Sequence, residues 1–141
     1  MDEKKIFVYT DGGARGNPGP AGLGIVFYDS ENKIVGKISR YLGERTNNQA
    51  EYLGVIEALR YLIKNKKIYD TIFCYLDSEL IVQQLNGKYK IKNEGLKPLY
   101  WQVRDLVMSL GGKIQFVYIP RLKNKQADQL VNKAIDEAKS V

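Results

Sequence analysis

The fold is decided early in the chain, between residues 6 and 28, which read IFVYTDGGARGNPGPAGLGIVFY. Two runs of β-branched and aromatic residues, at 6–10 and 23–28, are typical of strands. Glycine and proline dominate the segment between them, which predicts a long turn. A second turn at residues 31–33 precedes an apolar run at 34–42. The stretch therefore predicts a three-stranded antiparallel meander.

Downstream of this meander, helical and strand patterns alternate. Apolar residues at helical spacing predict helices over residues 48–63, 79–85, 99–110 and 124–139. Short apolar runs predict strands over 71–76 and 113–119, whereas residues 86–98 are expected to be irregular. The order βββαβααβα predicts a single α/β domain over residues 1–141, with a mixed sheet.

Composition narrows the chemistry that is available. Lysine and arginine number 22 against 16 acidic residues, and the net charge of +6 favours a polyanionic partner such as nucleic acid. Histidine is absent, which excludes imidazole-based catalysis and serine-type triads. The single cysteine, Cys74, cannot form an internal disulfide. With no secretory leader and no run long enough to cross a bilayer, a cytoplasmic protein is expected.

Two acidic residues stand directly after predicted strands. Asp11 follows the first strand and Asp77 follows the fourth. Open α/β sheets place their ligands at the carboxyl ends of strands, so these two acids are expected to lie at one edge of the sheet.

Two further acids share a helical face with core residues. Glu51 lies four and eight residues before Val55 and Leu59, and Asp128 lies three residues before Val131. An ionised group on an inward face costs several kcal/mol unless it is paired or bound to a metal. The four acids together therefore indicate a shared cation, because a hard divalent ion relieves carboxylate repulsion and prefers oxygen ligands.

Each acid taken alone has an ordinary structural explanation. Asp77 could cap a helix, Asp11 could serve a turn, and an acid near a helix end could be half exposed. Four such positions at once are harder to explain without a common ligand.

The motifs that carry these acids resemble those of type 1 ribonuclease H enzymes. They read YTDGGARGNPGPAG at residues 9–22, TNNQAEY at 46–52, LDS at 76–78 and NKQAD at 124–128. They follow the family's order and span nearly the whole chain. The resemblance implies a ribonuclease H-like fold, in which three antiparallel strands and then two parallel ones form a five-stranded mixed sheet flanked by helices.

The resemblance also implies an activity. It predicts an endonuclease that hydrolyses the RNA strand of an RNA/DNA hybrid and leaves 5′-phosphate and 3′-hydroxyl ends. Two Mg²⁺ ions, which Mn²⁺ could replace, would be held by four catalytic carboxylates: Asp11, Glu51, Asp77 and Asp128. Ribose hydroxyls in the wide minor groove of such a duplex distinguish RNA from DNA.

Other residues match family positions that contact the hybrid. Gly12 and Gly13 are expected to let the backbone come close to the substrate. Asn17, Asn47 and Asn48 match positions near the minor groove. Thr46 matches a position that holds a phosphate of the DNA strand.

Three departures from the family pattern are expected to matter. The loop after the last predicted strand lacks the usual histidine and carries Arg121, Lys123 and Lys125 instead. One of these cations, Arg121 first, is expected to take over by binding the scissile or departing phosphate. Glu79 stands where a substrate-contacting glutamine is usual. The basic protrusion is reduced to residues 87–95, which carry three alternating lysines, so weaker and more salt-sensitive binding is expected.

Three alternatives remain open: a same-fold nuclease that acts on DNA, a hybrid-binding module without catalysis, and a nucleotide-binding loop. The asparagine pair before Glu51 and the glycine pair after Asp11 argue against the first. The complete set of four acids argues against the second. A strand is predicted after the glycine-rich segment, where a phosphate-binding loop needs a helix. No membrane association and no obligate protein partner are evident.

Overall fold

A computed structural model describes residues 4–139. Along the chain it contains β1 (Lys5–Ala14), β2 (Gly19–Tyr28), β3 (Ile34–Arg45), α1 (Asn47–Lys64), β4 (Thr71–Leu76), α2 (Glu79–Leu85), α3 (Lys97–Ser109), β5 (Ile114–Tyr118) and α4 (Lys125–Lys139), with a short 3₁₀ turn at Arg121–Lys123 before α4. The predicted order of strands and helices is confirmed, and the 3₁₀ turn is an addition to it.

The strands form one mixed sheet in the order β3-β2-β1-β4-β5. Strands β1 to β3 pair antiparallel, whereas β4 pairs parallel with β1, and β5 parallel with β4. This arrangement confirms the predicted five-stranded sheet. Since parallel strands end at a common edge, the residues that follow β4 come close to the carboxyl-terminal half of β1.

The glycine-rich segment is mostly strand, and the predicted long turn is wrong. β1 continues to Ala14 and β2 begins at Gly19, so the turn spans only residues 15–18 and is closed by a bond from the Arg15 N–H to the Pro20 carbonyl. Gly12 and Gly24 make room for neighbouring helices, whereas Gly16, with a φ of +95°, serves the turn. A β-carbon at Gly24 would lie 2.2 Å from the Ala127 carbonyl oxygen of α4.

Helices α1 and α4 pack on opposite faces of the sheet. A β-carbon at Gly12 would meet the Ala50 carbonyl of α1, whereas Gly24, which meets α4, pairs with Asp11. Paired residues share a face and adjacent residues along a strand face opposite sides, so the two helices cover different faces. Glycine thus lets both helix backbones approach the β1–β2 ribbon closely, and both helices carry acids of interest.

Two buried hydrophobic clusters lie on the α1 side of the sheet. One buried cluster joins α1 to β4, α2, α3 and β5, and a second joins α1 to β1, β2 and β4. Helix α3 begins at Lys97, earlier than predicted, because Pro98 lies in the first turn, where its missing N–H costs nothing. Within residues 4–139, no helix is both long enough and apolar enough to span a bilayer.

Candidate metal centre

Asp11 and Asp77 meet at one edge of the sheet. The parallel ladder between β1 and β4 has Tyr9 opposite Tyr75 as its last pair, so both acids stand two positions beyond it. The prediction that Asp11 ends its strand is wrong, because β1 continues alongside β2 and Asp11 pairs with Gly24. The predicted convergence of the two acids at one sheet edge does not depend on that error.

Helix α1 brings Glu51 against Asp11. The helix approaches β1 at two positions without side chains: a β-carbon at Gly12 would lie 2.1 Å from the Ala50 carbonyl oxygen, and one at Gly54 would lie 2.7 Å from the Thr10 hydroxyl. Glu51 is consequently only 6% exposed and Asp11 only 8%. The close approach of helix and strand thus buries two acids beside each other.

Three carboxylates converge at this point, and the fourth lies beside them. Oxygens of Asp11, Glu51 and Asp77 all lie within 4.8 Å of one another. Asp128 is half-buried and lines the same cavity, of about 520 Å³, but it is outside that group of three. Its carboxylate lies 3.5 Å from the amide nitrogen of Asn132.

The electrostatics of the cluster favour a bound cation. The pKa of Asp11 is raised from 3.8 to about 7, chiefly by burial and also by the charges of Asp77 and Asp128, against hydrogen bonds that lower it. Burial and the facing Asp11 carboxylate hold the pKa of Glu51 well above its ordinary range. Among residues 4–139 no lysine or arginine forms a salt bridge with the four acids.

The donor set suits a hard divalent ion. One carboxylate oxygen of Glu51 is buried and accepts no hydrogen bond from the described residues. A buried acceptor without a partner is costly, and a cation would satisfy it while neutralising the mutual repulsion of the acids. Oxygen-only ligands are those preferred by Mg²⁺ and Mn²⁺.

For the metal-free protein we expect the free energy of unfolding to fall as the pH rises from about 4 to about 8. Because Asp11 has a raised pKa in the fold, the folded protein binds more protons than the unfolded chain across this interval. The contribution of protonated Asp11 to the free energy of unfolding is fully present below about pH 4 and is lost as the pH passes through about 7.

Urea unfolding in chelator at a series of pH values measures this dependence. Asp11→Asn should flatten the curve, and added Mg²⁺ should restore stability above pH 7 because it binds the ionised acids. Equal slopes for the wild type and Asp11→Asn would contradict the assigned origin.

Most of the residues predicted to contact substrate line the cavity. Besides the four acids, these are Gly12, Gly13, Asn47, Asn48 and Arg121. Asn17, Thr46 and Glu79 do not line it. Glu79 is exposed in the first turn of α2.

Thr46 and Asn17 hold the start of α1 in place. The Thr46 hydroxyl accepts the Gln49 N–H at 3.1 Å, and the Gln49 side chain accepts the Thr46 N–H at 3.0 Å, which is a capping box. The Asn17 side chain accepts the Asn47 N–H at 2.9 Å. Since the Thr46 hydroxyl only accepts here, its proton can still be donated to a phosphate.

Sequence patterns gave no role to Asn124, which the structure places next to the acids. Its side-chain nitrogen donates to the Asp77 carboxylate at 2.9 Å, and the residue is 1% exposed. An asparagine at a predicted helix start is ordinary, so only its place in the NKQAD motif could have drawn attention to it. Cys74 is fully buried, which raises the pKa of its thiol and argues against a nucleophilic role.

Comparison with known proteins gives matches over most of the chain. A family described as reverse transcriptase-like matches residues 9–134. A bifunctional protein of Mycobacterium tuberculosis is 36% identical over 135 residues, which cover 95% of this chain and 36% of that protein. The chain thus spans about a third of this relative. A ribonuclease H of a Polaromonas species is 33% identical, with 96% of this chain and 91% of the relative covered.

Solved structures agree with these matches. LC11-RNase H1, isolated from compost by a metagenomic approach, is 48% identical with a TM-score of 0.90, over 95% of this chain and 97% of the other. Its complex with an RNA/DNA hybrid has a TM-score of 0.91 at 46% identity, over 94% and 98% of the two chains. Motifs, fold and relatives therefore agree, and the chain belongs to the type 1 ribonuclease H family.

Proposed function

We propose that this protein hydrolyses the RNA strand of RNA/DNA hybrids with divalent cations held by Asp11, Glu51, Asp77 and Asp128. The convergence of three carboxylates within 4.8 Å carries the proposal, since among residues 4–139 no lysine or arginine forms a salt bridge with any of the four acids. Family membership and the binding of an RNA/DNA hybrid by the similar LC11-RNase H1 support the choice of substrate.

The four acids would hold two Mg²⁺ ions, with Mn²⁺ as a substitute. Bound there, the ions would supply Lewis-acid activation of the attacking water and stabilise the leaving 3′ oxygen, so that the products carry 5′-phosphate and 3′-hydroxyl ends. The protein's part is to orient the ligands. The Asp11 carboxylate accepts a hydrogen bond from the Gly12 backbone N–H at 2.9 Å, and the Asp77 carboxylate accepts one from the Asn124 side-chain N–H at 2.9 Å.

The described cavity offers no side-chain nucleophile suited to the reaction. Among the described residues no base accepts the proton of the Ser78 hydroxyl, which itself accepts the Ile81 N–H at the start of α2, and the Cys74 thiol is buried and does not line the cavity. Water is therefore the proposed nucleophile, as the carboxylate set implies.

Substrate recognition is proposed to use the rim of the same cavity. Asn47 and Asn48 would face the minor groove, and the exposed Arg121 would bind a phosphate in place of the family's loop histidine. The alternating lysines of residues 87–95 would add contacts to the backbone that weaken as salt rises.

We further propose that one domain carries the whole activity. Three of the acids lie on β1, α1 and α4 and Asp77 directly follows β4, all within the residues matched by the family. The free thiol and lack of disulfides among the described residues suit the reducing cytoplasm.

The proposed function predicts a strict substrate order. Labelled RNA/DNA hybrid, RNA duplex and DNA duplex should each be incubated with Mg²⁺, Mn²⁺ or chelator. We expect cleavage of the hybrid alone, in its RNA strand, with either metal and not with chelator. The cleaved strand needs ribose hydroxyls, which excludes DNA duplex, and its partner is proposed to be a DNA strand whose phosphate is held at Thr46, which excludes RNA duplex. Equal rates on DNA duplex would overturn the substrate assignment, and full activity in chelator would overturn the metal mechanism.

A further inference from the structure

Asn124 is a buried amide at the meeting point of three structural elements. It is 1% exposed, and its side-chain nitrogen donates both to the Thr10 carbonyl at 3.0 Å and to the Asp77 carboxylate at 2.9 Å. Burying an amide costs free energy unless its hydrogen bonds are made, so both bonds contribute to holding it there.

The orientation of the Asn124 amide follows from its partners. Both are acceptors, a carbonyl oxygen and a carboxylate oxygen, so the nitrogen must face them and the oxygen must point away. That oxygen is buried and has no partner among the described residues. Only a donor fits at this position, which distinguishes Asn124 from a residue that merely fills space.

The hydrogen bonds of Asn124 connect the three chain segments that carry Asp11, Asp77 and Asp128. Thr10 precedes Asp11 on β1, and Asp77 follows β4, beyond the last Tyr9–Tyr75 pair of the parallel ladder. The Asn124 carbonyl in turn accepts the backbone N–H of Asp128 at 3.1 Å, at the start of α4. One residue thus bonds to β1 next to Asp11, to Asp77 itself and to Asp128.

We propose that Asn124 is a positioning residue that sets the relative placement of Asp11, Asp77 and Asp128 for cation binding. It acts through its hydrogen bonds to Asp77 and to the backbone, and we propose no contact between Asn124 and the substrate. The inference rests on the proposed cation site but does not depend on the identity of the substrate.

The test is direct Mn²⁺ binding by titration calorimetry, which needs no nucleic acid. Asn124→Ala should weaken Mn²⁺ binding about 10- to 100-fold, the usual effect of removing a residue that orients a metal ligand. Asn124→Leu keeps a side chain branched at the γ position but without a donor and should show the same loss, so a folding defect in the alanine variant would not prevent the test.

Gln84 supplies the matched control. It is another buried amide, 5% exposed, whose side-chain oxygen accepts the Tyr52 hydroxyl proton at 2.8 Å, and it does not line the acidic cavity. Gln84→Leu should lower the melting temperature without changing Mn²⁺ affinity. In cleavage assays, the Asn124 variants should lose kcat with little change in KM, and high Mn²⁺ should restore part of the rate.

The outcomes separate this inference from the proposed function. Mn²⁺ affinity within twofold of wild type in either folded Asn124 variant would overturn the inference, as would an equal loss in Gln84→Leu. Wild-type protein that binds Mn²⁺ but does not cleave hybrid would overturn the proposed function, yet the effect of Asn124 on affinity would stand.

Discussion

Asp11→Asn is expected to reduce hybrid cleavage by at least about a thousandfold, since losing about 4 kcal/mol of metal-derived stabilisation corresponds to three powers of ten in rate. Asp11 is buried, and its carboxylate lies within 4.8 Å of those of Glu51 and Asp77. The neutral amide removes a charged ligand from the centre of the proposed site, and it also removes repulsion. The variant should therefore be no less stable than the wild type in chelator.

Initial rates with Mg²⁺ and melting temperatures in chelator measure both parts of this prediction. Asp105→Asn, an exposed acid on α3, is the control for a change of net charge and should keep wild-type activity. Asp11→Asn with a rate within tenfold of wild type would refute the assignment of Asp11 as a metal ligand. Loss of activity caused by unfolding would appear as a lowered melting temperature.

Gly12→Ala should destabilise the fold by about 3 kcal/mol, at the high end for overpacking, and abolish cleavage with it. A β-carbon there would lie 2.1 Å from the Ala50 carbonyl oxygen and 2.6 Å from the Glu51 nitrogen, both backbone atoms of α1. Helix and strand must separate to admit it. Glu51 would move away from Asp11, so the metal site would be lost together with stability.

Gly13→Ala is the matched control at the next position. A β-carbon at Gly13 would make ordinary contacts, 3.9 Å from a methyl group of Val131 and 4.0 Å from the Asn47 side-chain oxygen. Denaturant unfolding should show Gly13→Ala close to wild type and Gly12→Ala far below it. Equal stabilities would show that α1 can move without penalty, contrary to the close packing described for β1.

Gly12 and Gly13 differ in what their missing side chains make room for. Both glycines were predicted to let the protein backbone come close to the substrate. In the fold, Gly12 is buried and its missing side chain makes room for α1, whereas Gly13 is half-buried and lines the cavity without such a contact. The close approach that helps to form the acidic cluster is therefore internal to the protein.

Periodic patterns identified the elements because they depend on local spacing. The strand Thr71–Leu76 and the helix Glu79–Leu85 have the predicted bounds, since a glycine-free apolar run and a serine cap define them. Glu51 was predicted to lie inward from its offset to Val55, and it is buried.

Properties set by packing between distant segments could not be predicted in the same way. The glycines of residues 12–24 suggest one long turn locally, but Gly12 and Gly24 lie in strands, where two helix backbones approach them. The buried amide of Asn124 has no periodic pattern, since its partners are 114 and 47 residues away. The place of Asp128 beside the other three acids depends on how α4 sits on the sheet.

The cation site itself is tested most directly by crystals grown with Mn²⁺ and measured at the manganese absorption edge. We expect anomalous density bounded by the carboxylates of Asp11, Glu51 and Asp77, with Asp128 available to a second ion. Well-ordered carboxylates with no anomalous peak between them, or manganese bound only elsewhere, would contradict the account.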